Sequence, residues 1–172
     1  MSEPLPDDQP EPSLAERVIT VCREHGLTVA TAESLTGGLV AAALTDVPGA
    51  SDVVHGGIVA YVTQAKEQLL GVPAAVLTEH GAVSEPTARL MAAGAATVLA
   101  ADWAVSTTGV AGPDSSEGHP PGTVHIAVHG VRAGGEEVQA HRLLRLHGTR
   151  ADIRQATVGQ VLGLLLESVS RD

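Results

Sequence analysis

Residues 27–49 read LTVATAESLTGGLVAAALTDVPG. The first six are small, apolar or β-branched. Gly37 and Gly38 then break the run, and a Leu/Val/Ala-rich stretch follows up to Pro48 and Gly49. This order predicts a buried strand from Leu27 to about Ala32, a tight glycine turn, and then a helix. The same strand-then-helix order recurs downstream. VVHGGIVAYV (53–62) reads as a second strand, and TQAKEQLLGV (63–72) as a short helix beginning at Thr63 and ending at Gly71. SEPTARLMAAGAATVLAA (84–101) is a long helix with Ser84 at its N-cap and Pro86 in its first turn. ADWAVSTTGVAGPD (101–114) is a strand running into a Gly/Pro loop.

Upstream, SLAERVITVCREHG (13–26) carries a capping box, Ser13 with Glu16, and Gly26 as its stop. Near the C-terminus, GTVHIAVHG (122–130) and EVQAHRLLRL (137–146) flank a Gly-rich turn and predict a hairpin. TRADIRQATVGQVLGLLLESVSR (149–171) closes the chain as a helix. Alternating strands and helices followed by a hairpin specify an α/β sandwich whose sheet is mixed but mostly parallel. Residues 1–12 are acidic and proline-rich and are expected to be a disordered tail before one domain spanning 13–172.

Composition narrows the functions. Of 172 residues, 44% are hydrophobic, yet Phe is absent and Tyr and Trp occur once each. The core must be built from small aliphatic side chains. A net charge of −10 and few aromatics argue against a nucleic-acid binder, which needs a basic face and stacking platforms. No apolar run is long enough for a membrane span and no signal peptide is legible, so a cytoplasmic protein is expected. The single cysteine, Cys22, forms no intrachain disulfide and reads as a small core residue. The eight histidines show no metal-ligand spacing, so no metal and no cofactor is expected.

In a parallel sheet, ligands bind beyond the carboxyl ends of the strands. Three stretches fall there: AESLTGG (32–38), AYVTQAK (60–66) and STTGVAGPD (106–114). In the first, a helix start after Gly37–Gly38 can hold a phosphate or oxyanion, or Ser34 or Thr36 can be an ordinary N-cap. The second holds the chain's single tyrosine, Tyr61, and its single lysine, Lys66, among nine arginines. Arginine stays protonated, whereas a lysine at a helix start behind an apolar strand can be driven neutral and act as a base. The plainer alternative is a solvated lysine beside Glu67. In the third, small and hydroxyl residues let a ligand approach the backbone. Arg150, at the start of the last helix, opposes the dipole and suggests a bound anion; a solvated surface arginine is the alternative.

These motifs, with HGAVSEPTA (80–88), PGTVHIAV (121–128) and HGTRADIRQ (147–155), resemble the CinA C-terminal-domain family, the nicotinamide-nucleotide amidases. The resemblance runs from about Leu14 to Ser168. It implies a three-layer α/β/α fold, no metal, a homo-oligomer, and hydrolysis of the carboxamide of nicotinamide mononucleotide to nicotinate mononucleotide and ammonia. Matched residue by residue, it implies Ser34 as nucleophile, Lys66 and Tyr61 as its catalytic companions, and Thr108 and Arg150 at the substrate. Lys66 would take the Ser34 proton, and Tyr61 would orient the lysine or relay the proton. Backbone N–H groups of Gly37–Gly38, beside Thr36, or of Thr108–Gly109 would hold the oxyanion. A non-catalytic nucleotide-binding or regulatory module on the same fold is the alternative. The loop SSEGHPPG (115–122) departs from the family's glycine-rich pattern, with His119 where a basic residue is common.

Overall fold

The structure is a computed structural model that describes residues 11–132 and 134–170. The N-terminal tail expected over 1–12 falls outside it up to residue 10. Five strands form one sheet: β1 (Val29–Glu33), β2 (Val54–Val59), β3 (Trp103–Gly109), β4 (Thr123–Val131) and β5 (Glu137–Arg145). Their spatial order is β2-β1-β3-β4-β5. β1 pairs in parallel with both β2 and β3, and β4 pairs antiparallel with both β3 and β5. Only β4 therefore runs against the rest, so the sheet is mixed and mostly parallel.

Six α-helices cover the two faces. They are α1 (Leu14–Glu24), α2 (Leu39–Thr45), α3 (Thr63–Leu70), α4 (Ala74–His80), α5 (Glu85–Val98) and α6 (Arg150–Val169). One face packs α1, α2 and α6 on Val29, Trp103, Val105, Val124, Ile126 and Val128. The other packs α5, backed by α3 and α4, on Ala30, Ala32 and Ala104. Alternation along β1 and β3 thus sends Val29, Trp103 and Val105 to one layer and alanines to the other. The alanine face lets α5 lie close, with Met91 and Ala95 fully buried. Cys22 is buried in the first layer, and burial raises its thiol to about 11. No described helix is long and apolar enough to cross a membrane.

Local signals set several boundaries as expected. The Ser13–Glu16 capping box is formed in both directions, and Ser84 Oγ accepts the Thr87 N–H. Gly71 ends α3 in the left-handed region, φ 68°. Other boundaries differ. β1 begins at Val29 rather than Leu27, because Thr28 turns its N–H and hydroxyl to the Asp102 carboxylate. α2 stops at Thr45, four residues short of Gly49, and a 3₁₀ turn (Ala50–Asp52) leads into β2. α4 was not legible in the sequence, since none of its residues is buried and its apolar pattern spans under two turns.

A histidine pair braces β4 against β5. His125 Nδ1 and His141 Nε2 lie 2.9 Å apart, and His141 Nδ1 is 3.5 Å from Glu85 on α5. Burial, with the charges of His141 and His119 added, holds His125 down at about 4, against 6.5 for a free histidine. Burial lowers His141 as well. The sign follows directly. Below 6.5 the unfolded chain takes up a proton that the folded chain refuses until about 4, so stability falls as pH falls through that window. The melting temperature should drop between pH 7 and pH 5 in the wild type, and less steeply in His125→Gln. Equal slopes for the two proteins would exclude this pair as the acid-sensitive element.

Candidate active site

β1 and β2 are adjacent and parallel, so their carboxyl ends emerge side by side. β1 delivers Ser34, and β2 delivers Ala60 and Tyr61 followed by α3. Ser34 is held in place by its N–H on the Thr107 carbonyl, 2.9 Å, which ties it to the end of β3. From α3, Lys66 reaches back under the strand ends. Its Nζ donates to Ser34 Oγ at 3.0 Å, to the Ala60 carbonyl at 2.9 Å and to the Tyr61 carbonyl at 3.3 Å. Lys66 is 1% exposed. An ammonium has three N–H groups and no acceptor. Here two of them are fixed on backbone carbonyls, so the third valence of the nitrogen points at the serine hydroxyl. Once deprotonated, that same position is a lone pair facing the Ser34 proton.

Burial also drives the amine toward its neutral form. Desolvation brings Lys66 from 10.5 down to about 8, with the negative charge of Glu117 acting in the opposite sense. At pH 7 roughly a tenth of the molecules then hold a neutral amine. The solvated-lysine alternative is excluded by this burial.

The pair opens into a cleft of about 250 Å3. Thr108, Gly109, Val110, Ala111 and Gly112 form one wall, and Tyr61 and Arg150 lie at another part of the lining. Ala82 and Val83, Asp114, Ser116 and Glu117 complete it. Arg150 begins α6, behind a Thr149–Asp152 capping box that satisfies the helix start. Its guanidinium donates to the Gly112 carbonyl at 2.8 Å and to the Tyr61 hydroxyl at 2.7 Å. These two neutral acceptors orient the side chain but leave its charge uncompensated, so an anion in the cleft is not needed to explain its position and would be welcomed there.

Several expectations need correction. The Tyr61 hydroxyl accepts from Arg150, and Tyr61 meets Lys66 only through its backbone carbonyl. Its side chain, 55% exposed, does not relay the lysine proton in this arrangement. The turn after Ser34 also differs from its reading. Thr36 is fully buried, with its hydroxyl 2.8 Å from that of Thr107, and neither Thr36, Gly37 nor Gly38 lines the cleft. The two glycines adopt φ 59° and 103°, which a side chain at either would strain. The start of α2 is not open to a ligand, because Glu33 fills it. The Glu33 carboxylate accepts the Val40 N–H at 2.8 Å and the Ala41 N–H at 3.1 Å. Thr108 lines the cleft, although its hydroxyl donates to the Ala82 carbonyl, 2.7 Å. Gly109 lines it too, but a side chain there would first collide with β4, 2.6 Å from the Thr123 oxygen.

Three contributors were missed. Arg154 of α6 donates to the Leu35 and Thr36 carbonyls, 2.9 and 3.0 Å, and pins the turn that follows Ser34. Glu33 caps α2, and its signal in the sequence is a carboxylate ending an apolar strand just ahead of a helix. Glu117 lies in a tight turn closed by the Ser116–His119 bridge, where nothing local marks which acid faces inward.

Comparison with known proteins agrees with the architecture. The family model described as CinA C-terminal domain matches residues 11–169. A CinA-like protein of Mycobacterium avium is 51% identical over 141 residues, covering 81% of this chain and 32% of that protein. One from Anaeromyxobacter dehalogenans is 46% identical over 153 residues, covering 88% and 36% respectively. The chain thus spans about a third of the length of the curated relatives it matches. The crystal structure of the competence/damage inducible protein CihA from Agrobacterium tumefaciens superposes with a TM-score of 0.84 at 43% identity, over 92% of this chain and 94% of that one. A CinA superfamily protein from Klebsiella pneumoniae gives 0.84 at 32% identity, over 92% and 97%. With nearly the whole described chain matched in sequence and in fold, the protein belongs to the CinA C-terminal domain family.

Proposed function

We propose that the chain is an amidase that converts nicotinamide mononucleotide and water to nicotinate mononucleotide and ammonia, with Ser34 as nucleophile and Lys66 as base. The observation that carries this reading is the buried lysine whose free valence meets a serine hydroxyl at 3.0 Å. Lys66 spends its three N–H groups on Ser34 Oγ and two backbone carbonyls, none of them a ligand, so a phosphate-binding role leaves this arrangement unexplained.

The steps balance with these groups alone. Neutral Lys66 takes the Ser34 proton as Oγ attacks the carboxamide carbon. The tetrahedral oxyanion forms beside Ser34. Among the described residues no acceptor inside the protein takes the Leu35 N–H, one residue after the nucleophile, and it is the donor best suited to that role. Collapse breaks the C–N bond, and the Lys66 ammonium protonates the departing nitrogen. Lys66 then takes a proton from water as that water attacks the Ser34 ester. The acid leaves and the proton returns to Ser34.

Arg150 supplies the binding charge for the 5′-phosphate, with Tyr61 holding the guanidinium in register. Arg150→Ala should raise KM for nicotinamide mononucleotide by about 10–100-fold, in line with losing one or two charge-assisted hydrogen bonds. Turnover of the unphosphorylated riboside should change little. Ammonia release on both substrates checks this, and equal losses on the two would remove Arg150 as the phosphate contact.

A further inference from the structure

We propose that Glu117 is a specificity-determining residue whose carboxylate selects carboxamides borne on a cationic, N-substituted pyridinium ring over neutral carboxamides. This rests on the amidase reading and names a feature of its substrate. Glu117 lines the cleft that also holds Ser34 and Lys66. Its Oε2 accepts the Val83 N–H at 3.0 Å, so the carboxylate is fixed in direction. It lies so close over the 80–84 loop that a Cβ on Gly81 would come within 2.8 Å of that oxygen. Among the described residues no Lys, Arg or His side chain pairs with it at ion-pair distance. The cleft thus presents a fixed carboxylate with no ion-pair partner in contact among the described residues, with the guanidinium of Arg150 elsewhere in its lining.

That charge pattern matches a zwitterionic ligand. A pyridine mononucleotide has a phosphate at one end and a positive ring nitrogen at the other, with the reacting carboxamide attached directly to the ring. If the carboxamide carbon reaches Ser34 Oγ, the ring lies beside Lys66. The charge of Glu117 is felt at Lys66, where it opposes the effect of burial. A positive ring in that place experiences the same attraction. Replacing the ring nitrogen by carbon keeps shape, carboxamide and phosphate but removes the charge, so only the Glu117 interaction should change. Asp114 also lines the cleft and adds to the field.

The test uses the full chain carrying Ser34→Ala, which allows equilibrium binding without turnover. Calorimetry compares nicotinamide mononucleotide with its neutral isostere, benzamide riboside 5′-monophosphate. The expected result is at least a tenfold preference for the pyridinium when Glu117 is present, lost on adding Glu117→Gln, with the neutral ligand changing less than about twofold. Glutamine keeps an oxygen for the Val83 N–H, so the loop stays in place. Glu117→Lys should reverse the preference. Equal binding of the two ligands by the Glu117 protein, equal losses of both in Glu117→Gln, or no binding of either would overturn the inference. Kinetics separate it from an action through Lys66: in that case Glu117→Gln would shift the pH–rate profile alike for both substrates. Ammonia release by the wild type tests the amidase reading on its own. Selective binding through Glu117 without ammonia would keep the inference and lose the amidase; equal binding would lose the inference whether or not ammonia appears.

Discussion

Lys66→Arg is expected to lose activity as completely as Lys66→Met, by about 10²–10⁴-fold in kcat/KM. Arginine keeps the charge and the hydrogen-bonding capacity but cannot release a proton near neutral pH. It also does not fit, because its planar fork cannot place one N–H on Ser34 Oγ while two others meet the Ala60 and Tyr61 carbonyls. If Lys66 only supplied positive charge, arginine would restore much of the rate. The pH profile carries the same information with a defined sign. The working form is the neutral amine, so kcat/KM should rise with pH and level off above about 8, where burial has placed the lysine. A profile that falls over this range would rule Lys66 out as the base.

The same burial predicts a gain in stability from Lys66→Met, which destroys activity. The unfolded chain holds the lysine proton up to 10.5 and the folded chain only to about 8, so at neutral pH folding carries a cost of about 3 kcal/mol. Lys66→Met removes the charge and strands two carbonyls, leaving a net gain of about 1–2 kcal/mol, or roughly 3–6 °C in Tm. The gain should shrink as pH rises from 8 to 10.5, because the wild type recovers the cost over that interval. A Tm that falls in Lys66→Met at pH 7 would mean that the ammonium is well solvated by its three partners and is no site of stored cost.

The placement of Ser34 beside Lys66 was legible because it depends on topology. Two consecutive parallel strands with short loops must end together, and the two residues sit just past those ends. Caps were legible for a related reason: Ser13 with Glu16, Ser84 and Gly71 act within one turn of chain. What escaped the sequence was which partner satisfies each group. The helix start after Gly38 invites an anion, but Glu33, itself the last residue of β1, is already there. Tyr61 and Lys66 are neighbours in sequence, yet the phenol turns outward to Arg150, 89 residues away. Arg154 reaches the Leu35 and Thr36 carbonyls from 119 and 118 residues away, and Glu117 reaches Val83 across 34. Such pairings have no local signature, because they are decided by which loops the sheet brings into contact.

Ser34→Ala should reduce ammonia formation by more than about 10⁴-fold, since without the hydroxyl no acyl-enzyme can form. Binding of nicotinamide mononucleotide should remain within a few-fold of the wild type, because Arg150 and the cleft walls are untouched and the lost oxygen is small. Lys66 then has only two acceptors, which should lower its affinity for a proton further and cost little in stability. The measurement that bears most directly on the whole account sets this variant beside the wild type with nicotinamide mononucleotide and assays ammonia and nicotinate mononucleotide together. The account predicts equal amounts of the two products from the wild type and neither from Ser34→Ala. Nucleotide recovered unchanged by the wild type, or products formed at similar rates by both proteins, would contradict it.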